Sequence, residues 1–341
     1  ATAMAAQRGI LIRNREAFER ATGLRYVALD KTGTLTEGQF EVRAVYADGL
    51  GEQEALTLAA ALEALSEHPL AQAILEAAKE RGLPLPSVQD FRAIPGKGVE
   101  GRVERRLYRV GRPEWAGELG LEVPPSLRQG LEEAEARGES VVALMDESRV
   151  LAYLALRDRL RPMAKQAIDA LKRMGITPVM LTGDAEAVAR TVARELGIER
   201  YRARVLPQDK ARIVRELKSQ GPTAFVGDGI NDAPALLEAD LGVAIGAGTN
   251  VAMESADVVL VKSDPLDVVR LLHLARATRR KMLQNLFWAT GYNIVALPLA
   301  AGVAYPFGLL LPPALGALFM SLSTVVVALN ALLLRRARLD T

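Results

Sequence analysis

The sequence predicts an α/β protein: a parallel-sheet domain interrupted by an inserted α+β domain and followed by two transmembrane helices. Three observations carry this. The apolar run Tyr26-Val27-Ala28-Leu29 ends in Asp30, and apolar strands alternate with amphipathic helices again from residue 149 to 270. Between these stretches, residues 37–148 break the alternation with a helix pair and a hairpin. From Met282 to Leu334 no residue is charged, which is too long for one membrane span and suits two.

A chain of 341 residues has room for two or three domains. Half of its residues are hydrophobic and a quarter charged, which excludes a disordered chain, and a net charge of +2 gives no case for nucleic acid as a partner. Without cysteine the chain has neither a disulfide framework nor a thiolate metal site of its own. It begins at Ala1 with no signal peptide, so a fragment or a processed chain is expected.

Taken in order, residues 1–23 mix small, apolar and basic side chains, as a stalk helix leaving a membrane does. Residues 24–36 form a buried strand and its loop. Helical spacing of Ala and Leu predicts helices over 52–65 and 70–81, with Pro69 in the first turn of the second. A hairpin over 99–103 and 107–110, a helix over 125–137 and a strand over 140–145 complete the insertion, 37–148. Helices at 162–174, 185–196 and 207–219 and strands at 177–181 and 223–226 then return to alternation, so 24–36 and 149–270 make one domain. The spans are expected at 282–304 and 312–334, broken near Tyr305-Pro306-Phe307-Gly308 and Pro312-Pro313. Arg279, Arg280 and Lys281 precede them and Arg335, Arg336 and Arg338 follow, so both flanks read as cytoplasmic. A buried hairpin in a soluble core is the alternative, and it fits neither the length nor the basic bookends.

The chemistry centres on Asp30-Lys31-Thr32-Gly33-Thr34-Leu35-Thr36, at a strand end, where ligands bind in open α/β sheets. A carboxylate there can attack phosphorus and become an aspartyl phosphate. This DKTGTLT stretch resembles the phosphorylation motif of P-type ATPases, within the haloacid-dehalogenase fold. Simple phosphatases of that fold place a second Asp two residues after the nucleophile; Thr32 stands there instead, which implies a longer-lived phosphoenzyme. Thr182-Gly183-Asp184 follows another predicted strand, Lys210 lies in Leu206-Pro207-Gln208-Asp209-Lys210, and Gly227-Asp228-Gly229-Ile230-Asn231-Asp232 follows a third. These resemble the later motifs of the same family. The resemblance implies that Asp30 attacks the γ-phosphate of ATP, with Lys31 beside it. Mg²⁺ is held by Asp30, the Thr32 carbonyl and Asp228. Thr182, with Gly183 and Asp184, and Lys210 hold phosphoryl oxygens, and Asp232 orients the site.

Within the insertion, Ser66-Glu67-His68-Pro69 and Pro95-Gly96-Lys97-Gly98-Val99-Glu100-Gly101 resemble the nucleotide-binding domain of heavy-metal P-type ATPases. A lone histidine or a lone GxG says little; the pair implies that His68, helped by Glu63, contacts the adenine while Gly96 and Gly98 admit the nucleotide. Gly111 matches a second glycine loop, although Arg112 stands where copper pumps have Asn.

The spans hold Tyr292-Asn293 and Met320-Ser321-Leu322-Ser323-Thr324. Polar groups inside a bilayer are costly and mark function, and a thioether suits Cu(I). The pattern resembles the last two spans of copper(I) pumps, with Thr324 where Ser is usual, and implies Tyr292, Asn293, Met320 and Thr324 as cargo ligands. Helix packing for Asn293 and Ser323, and gap-filling for Met320, is the structural alternative. The expected function is thus ATP-driven Cu(I) export from a multi-pass membrane position with cytoplasmic catalytic domains. The family's Cys-Pro-Cys span and Thr-Gly-Glu-Ser loop do not occur in the chain, so upstream spans and an actuator domain are expected as partners. A zinc or cadmium pump, a membrane-tethered phosphatase and a non-catalytic assembly partner are the competing readings.

Overall fold

The computed structural model describes residues 2–66, 68–228, 232–246, 254–309 and 311–336. A seven-stranded sheet runs in the order β1 (Ile10–Ile12), β13 (Val258–Leu260), β12 (Leu241–Ile245), β11 (Thr223–Gly227), β2 (Tyr26–Asp30), β9 (Thr177–Leu181), β10 (Arg200–Arg202). A six-stranded sheet runs β3 (Thr36–Ala47), β8 (Val150–Leu160), β7 (Ser140–Met145), β6 (Arg106–Gly111), β5 (Gly98–Val103), β4 (Gln89–Ile94). All five residues of each of β2, β11 and β12 are buried, the pattern of strands covered on both faces. The chain forms two compact units, one of residues 1–27, 170–177 and 211–341, the other of residues 28–169 and 178–210.

In the first unit β12 pairs in parallel with both β11 and β13, and β1 closes that edge antiparallel to β13, Ile10 opposite Leu260. This corrects the stalk helix expected over 1–23. The segment is instead α1 (Thr2–Gln7), β1, α2 (Arg15–Arg20) and a short 3₁₀ turn, Ala21–Gly23. Gly9 takes φ +76°, which ends the first helix, and Asn14 caps the second by accepting from the Ala17 amide at 3.2 Å. The expected helix over 207–219 is α9 (Lys210–Lys218) behind a 3₁₀ turn, and α10 (Ala233–Glu238) follows β11.

Two long helices end the chain. α11 (Leu266–Ala300) buries Leu271, Leu272, Leu274 and Ala275 near its start and carries exposed Leu286, Phe287, Trp288 and Ile294 further on. It stops before 304 because Gly302 turns the chain at φ +82°. α12 (Pro313–Leu332) has mean hydropathy 2.0 and no buried residue, and is long and apolar enough to cross a membrane. α11 is diluted by Gln284, Asn285, Tyr292 and Asn293; α12 is the one helix among the described residues to pass that measure. Polar bonds tie the pair: Lys281 Nζ donates to Asn330 Oδ1 at 2.9 Å, and Asn330 Nδ2 to Asn285 Oδ1 at 2.8 Å. Arg338 lies outside the described residues.

In the second unit the six-stranded sheet is antiparallel. α3 (Glu52–Glu63) and α4 (Pro69–Glu80) supply Leu56, Leu62 and Ile74 to a core with Val110, Leu144 and Leu154. α5 (Pro113–Glu118) and α6 (Pro125–Ala136) pack Trp115 and Leu127 around Tyr153. β10 and α8 (Glu186–Leu196) also belong to this unit, and α7 (Ala164–Arg173) begins in it. The domain change expected at 148/149 is not a change of sheet: β8 runs on to Leu160 between β3 and β7. Its first seven residues, Val150–Leu156, are all buried, and this near-continuous apolar run is what a central strand requires.

Candidate active site

β2 delivers Asp30 to the end of a buried strand, where only 7 % of it is exposed. Lys210, the first residue of α9, sets its ammonium 3.1 Å from Asp30 Oδ2. A second pair lies in the same unit. Lys31, 2 % exposed, meets Asp184 Oδ2 at 2.5 Å. Thr182 Oγ1 donates to that oxygen at 2.9 Å, and the Asp184 amide donates back to Thr182 Oγ1 at 3.1 Å. Asp30 and Lys210 thus form a pair, and Lys31, Asp184 and Thr182 a three-residue cluster. Burial in low dielectric strengthens each pair and holds its geometry. Thr32 is exposed on the loop.

The loop is held by its own Gly33 and Thr36 and by two residues that sequence reasoning missed, Arg161 and Asp158. Gly33 takes φ +80°; its amide donates to Thr36 Oγ1, which in turn donates to the Lys31 carbonyl, both at 3.1 Å. Arg161 donates from Nη2 to the Gly33 carbonyl at 3.0 Å and from its amide to the Leu35 carbonyl at 2.9 Å. Asp158 Oδ1 accepts from the Gly38 amide at 3.1 Å. Burial pushes the Asp158 carboxyl up. An Asp and an Arg three apart at the close of a long apolar run were the available signal.

In the first unit, Asp228 follows the buried β11 directly, and Asp232 stands buried at the N-cap position of α10. A Cβ on Gly227 would strike Asp232 Oδ2, so glycine here leaves room for that carboxylate. Gly229, Ile230 and Asn231 lie outside the described residues.

The proposed nucleotide residues belong to the second unit. His68 is exposed, and its Nδ1 accepts from the Leu70 amide at 3.2 Å, capping α4. Gly98 and Gly111 mark a close strand crossing: a Cβ on Gly98 would meet the Val110 carbonyl, and one on Gly111 the Lys97 carbonyl and the Trp115 ring. Gly96 takes φ +72° with open space around it. A cavity of about 590 Å³ runs from Leu70 past Arg112 to Gly183, Asp184 and Leu206.

Glu63 closes α3 with 7 % exposure, and burial pushes its carboxyl up to about 7, against a hydrogen bond with Ser66. Because the folded value lies above the unfolded one, the neutral form favours folding. Stability is greatest below 4.5, falls as the unfolded chain ionises, and levels off above about 7. Glu63→Gln keeps a neutral group and is expected to gain on wild type between those limits, by roughly 3 kcal/mol in all. Melting curves from pH 4.5 to 8 check this; a constant gap would refute it.

Of the residues expected to hold the cargo, Tyr292 Oη donates to the Gly316 carbonyl at 3.4 Å and Thr324 Oγ1 to the Met320 carbonyl at 3.0 Å. Met320 and Asn293 are exposed.

The family profile of haloacid dehalogenase-like hydrolases matches residues 24–240. The chain is 54 % identical over 334 residues to a copper-exporting P-type ATPase B of Archaeoglobus fulgidus, covering 98 % of this chain and 48 % of that protein. It is 47 % identical over 337 residues to the protein of the same name from Enterococcus hirae, covering 98 % and 45 %. The chain spans about half the length of the curated relatives it matches. Among solved structures, a zinc-transporting PIB-type ATPase in its E2.Pi state superposes with a TM-score of 0.78 at 39 % identity, covering 98 % of this chain and 53 % of that one. The catalytic domain of the CPx-ATPase CopB-B superposes at 0.65 with 30 % identity, covering 80 % of this chain and 98 % of that domain. The chain belongs to the haloacid dehalogenase-like hydrolases and, within them, to the heavy-metal P-type ATPases.

Proposed function

We propose that this chain is the catalytic part of an ATP-driven Cu(I) exporter that works through an aspartyl phosphate at Asp30. The observation that carries the reading is the buried Asp30–Lys210 pair in the same unit as the Lys31–Asp184–Thr182 cluster. An Asp30 carboxylate oxygen attacks the γ-phosphorus of ATP, the bond to the β,γ-bridging oxygen breaks, and ADP leaves. Lys210 offsets the anionic charge shared by Asp30 and the incoming phosphoryl group, and Lys31 fixes Asp184. Thr182 supplies a hydroxyl on the phosphoryl side. His68 and Glu63 take the adenine, with Gly96, Gly98 and Gly111 letting it approach.

Mg²⁺ fits the donor set. Asp30, Asp228 and Asp232 each offer a hard carboxylate oxygen, and the Thr32 carbonyl adds another oxygen donor. Asp30, Thr32 and Asp228 would hold the ion, which supplies charge neutralisation to the phosphates, while Asp232 orients the site.

Copper is favoured over zinc by the cargo set of Tyr292, Asn293, Met320 and Thr324 and by the copper-exporting relatives, at higher identity than the zinc-transporting structure. In that reading α11 and α12 sit in the bilayer, the catalytic domains face the cytoplasm, and further spans and an actuator domain complete the transporter. The test is reconstitution of the transporter that contains this chain in vesicles with ATP. Cu(I) accumulation well above that of Zn²⁺ is expected; the reverse preference would refute the copper assignment.

A further inference from the structure

The glycine corner of the second unit carries a charge arrangement that the aspartyl-phosphate reading does not use. Lys97 stands between Gly96 and Gly98, Arg112 follows Gly111, and the Arg112 amide donates to the Lys97 carbonyl at 3.1 Å. Both cations converge on one carboxylate. Lys97 Nζ lies 2.6 Å from Glu118 Oε2, and Arg112 Nη2 lies 2.6 Å from Glu118 Oε1. Glu118 ends the six-residue helix that starts just after Arg112, so this short helix carries the acid back to the corner. The Lys97 hydrogen bond, and then Arg112, hold the Glu118 carboxyl below its ordinary range. The three side chains are 41 %, 47 % and 39 % exposed for Lys97, Arg112 and Glu118, so water screens the bridge and another anion can replace the carboxylate cheaply.

Arg112 is also part of the cavity wall that leads from Leu70 to Gly183 and Asp184. That wall also carries acid: Glu114 and Glu135 line it, as does the buried Glu139, which Arg43 pairs, with Arg204 as the other cation. In the nucleotide reading, a nucleotide that enters at the Leu70 end, two residues from His68, and reaches Gly183 and Asp184 passes Arg112. A neutral amide at position 112 would leave the polyphosphate facing carboxylates; a guanidinium supplies a fixed charge and two parallel donors.

Resting on the nucleotide reading above, we propose that Lys97 and Arg112 form a polyphosphate clamp, and that Glu118 is a built-in anion that occupies the clamp until nucleotide phosphates displace it. The clamp selects ATP and ADP over uncharged adenosine, and Glu118 sets how tightly.

The test is equilibrium binding of ATP, ADP, AMP and adenosine to the full Asp30→Asn chain in detergent, so that no turnover intervenes. Arg112→Ala is expected to weaken ATP about tenfold while adenosine stays within about twofold. Glu118→Gln is expected to tighten ATP about threefold with adenosine unchanged. Lys97→Gln should act in the direction of Arg112→Ala, and His68→Gln should weaken all four ligands together. Melting curves confirm that each variant is folded; a misfolded Arg112→Ala leaves the decision with Lys97→Gln and Glu118→Gln. An ATP-to-adenosine affinity ratio unmoved by these changes, or ATP binding weakened by Glu118→Gln, would overturn the clamp alone. A parent chain that binds neither ATP nor adenosine would overturn the nucleotide reading and the clamp with it.

Discussion

The wild-type chain is expected to take an acid-stable, hydroxylamine-sensitive label from γ-labelled ATP, and Asp30→Asn to abolish it, a loss of roughly 10³-fold or more. The amide is close to isosteric with the carboxylate, but its lone pairs are delocalised into the C–N bond and it is no nucleophile. Nucleotide affinity is expected to stay within about threefold, because the residues proposed to take the adenine, His68 and Glu63, are not in the phosphorylation loop. One structural side effect is foreseeable. Asp30 is 7 % exposed and its carboxylate faces the Lys210 ammonium at 3.1 Å, so the substitution removes the negative partner of a buried cation. A melting curve separates that effect from the chemical one. A stable label on the Asn variant would remove Asp30 from the reaction.

Gly98→Val is expected to be the most damaging change away from the phosphoryl loops. Gly98 has φ +153°, and any Cβ there would overlap the Val110 carbonyl and crowd Gly111 Cα at 2.6 Å. Both obstacles are backbone in a paired hairpin, so neither can yield by a rotamer change. The cost is about 3–5 kcal/mol, combining overpacking with a backbone region closed to β-branched residues. Nucleotide binding should fall with it, since the same corner carries Lys97. Gly96→Ala is the control: φ is +72° but nothing lies within 4 Å of its Cβ, so about 1–2 kcal/mol of left-handed strain is the whole penalty. Thermal unfolding and ATP titration of the two variants check this; equal, small losses would show that the crossing is softer than its geometry.

Some of this architecture was legible because local and global signals coincide. Tyr26–Leu29 is an apolar run, the whole of Tyr26–Asp30 is buried, and the strand ends on the carboxylate proposed as the nucleophile. The 70–81 helix was legible because Pro69 and His68 punctuate its start; it runs from Pro69 to Glu80. Ile10–Ile12 was hidden because three residues cannot show a period, and their strand character comes from β13, more than two hundred positions away. Val150–Leu160 showed itself as an apolar run, but its sheet membership depends on β3, which no periodicity reveals. Arg161 was invisible for a related reason. Its role is to hold the carbonyls of Gly33 and Leu35, and a contact across that span of sequence leaves no local trace.

The pairing of Thr36 with Leu160, and of the Arg161 amide with the Leu35 carbonyl, places the two ends of the inserted domain side by side. Topologically, the domain is a bud on a two-stranded stem. Its outgoing and returning strands are already zipped together at the base, so closing the loop that contains it costs little beyond what β3 and β8 recover by pairing. A bud of this kind can be excised, transplanted or circularly permuted with a short splice at the stem. The parent sheet needs only two adjacent ends to receive it.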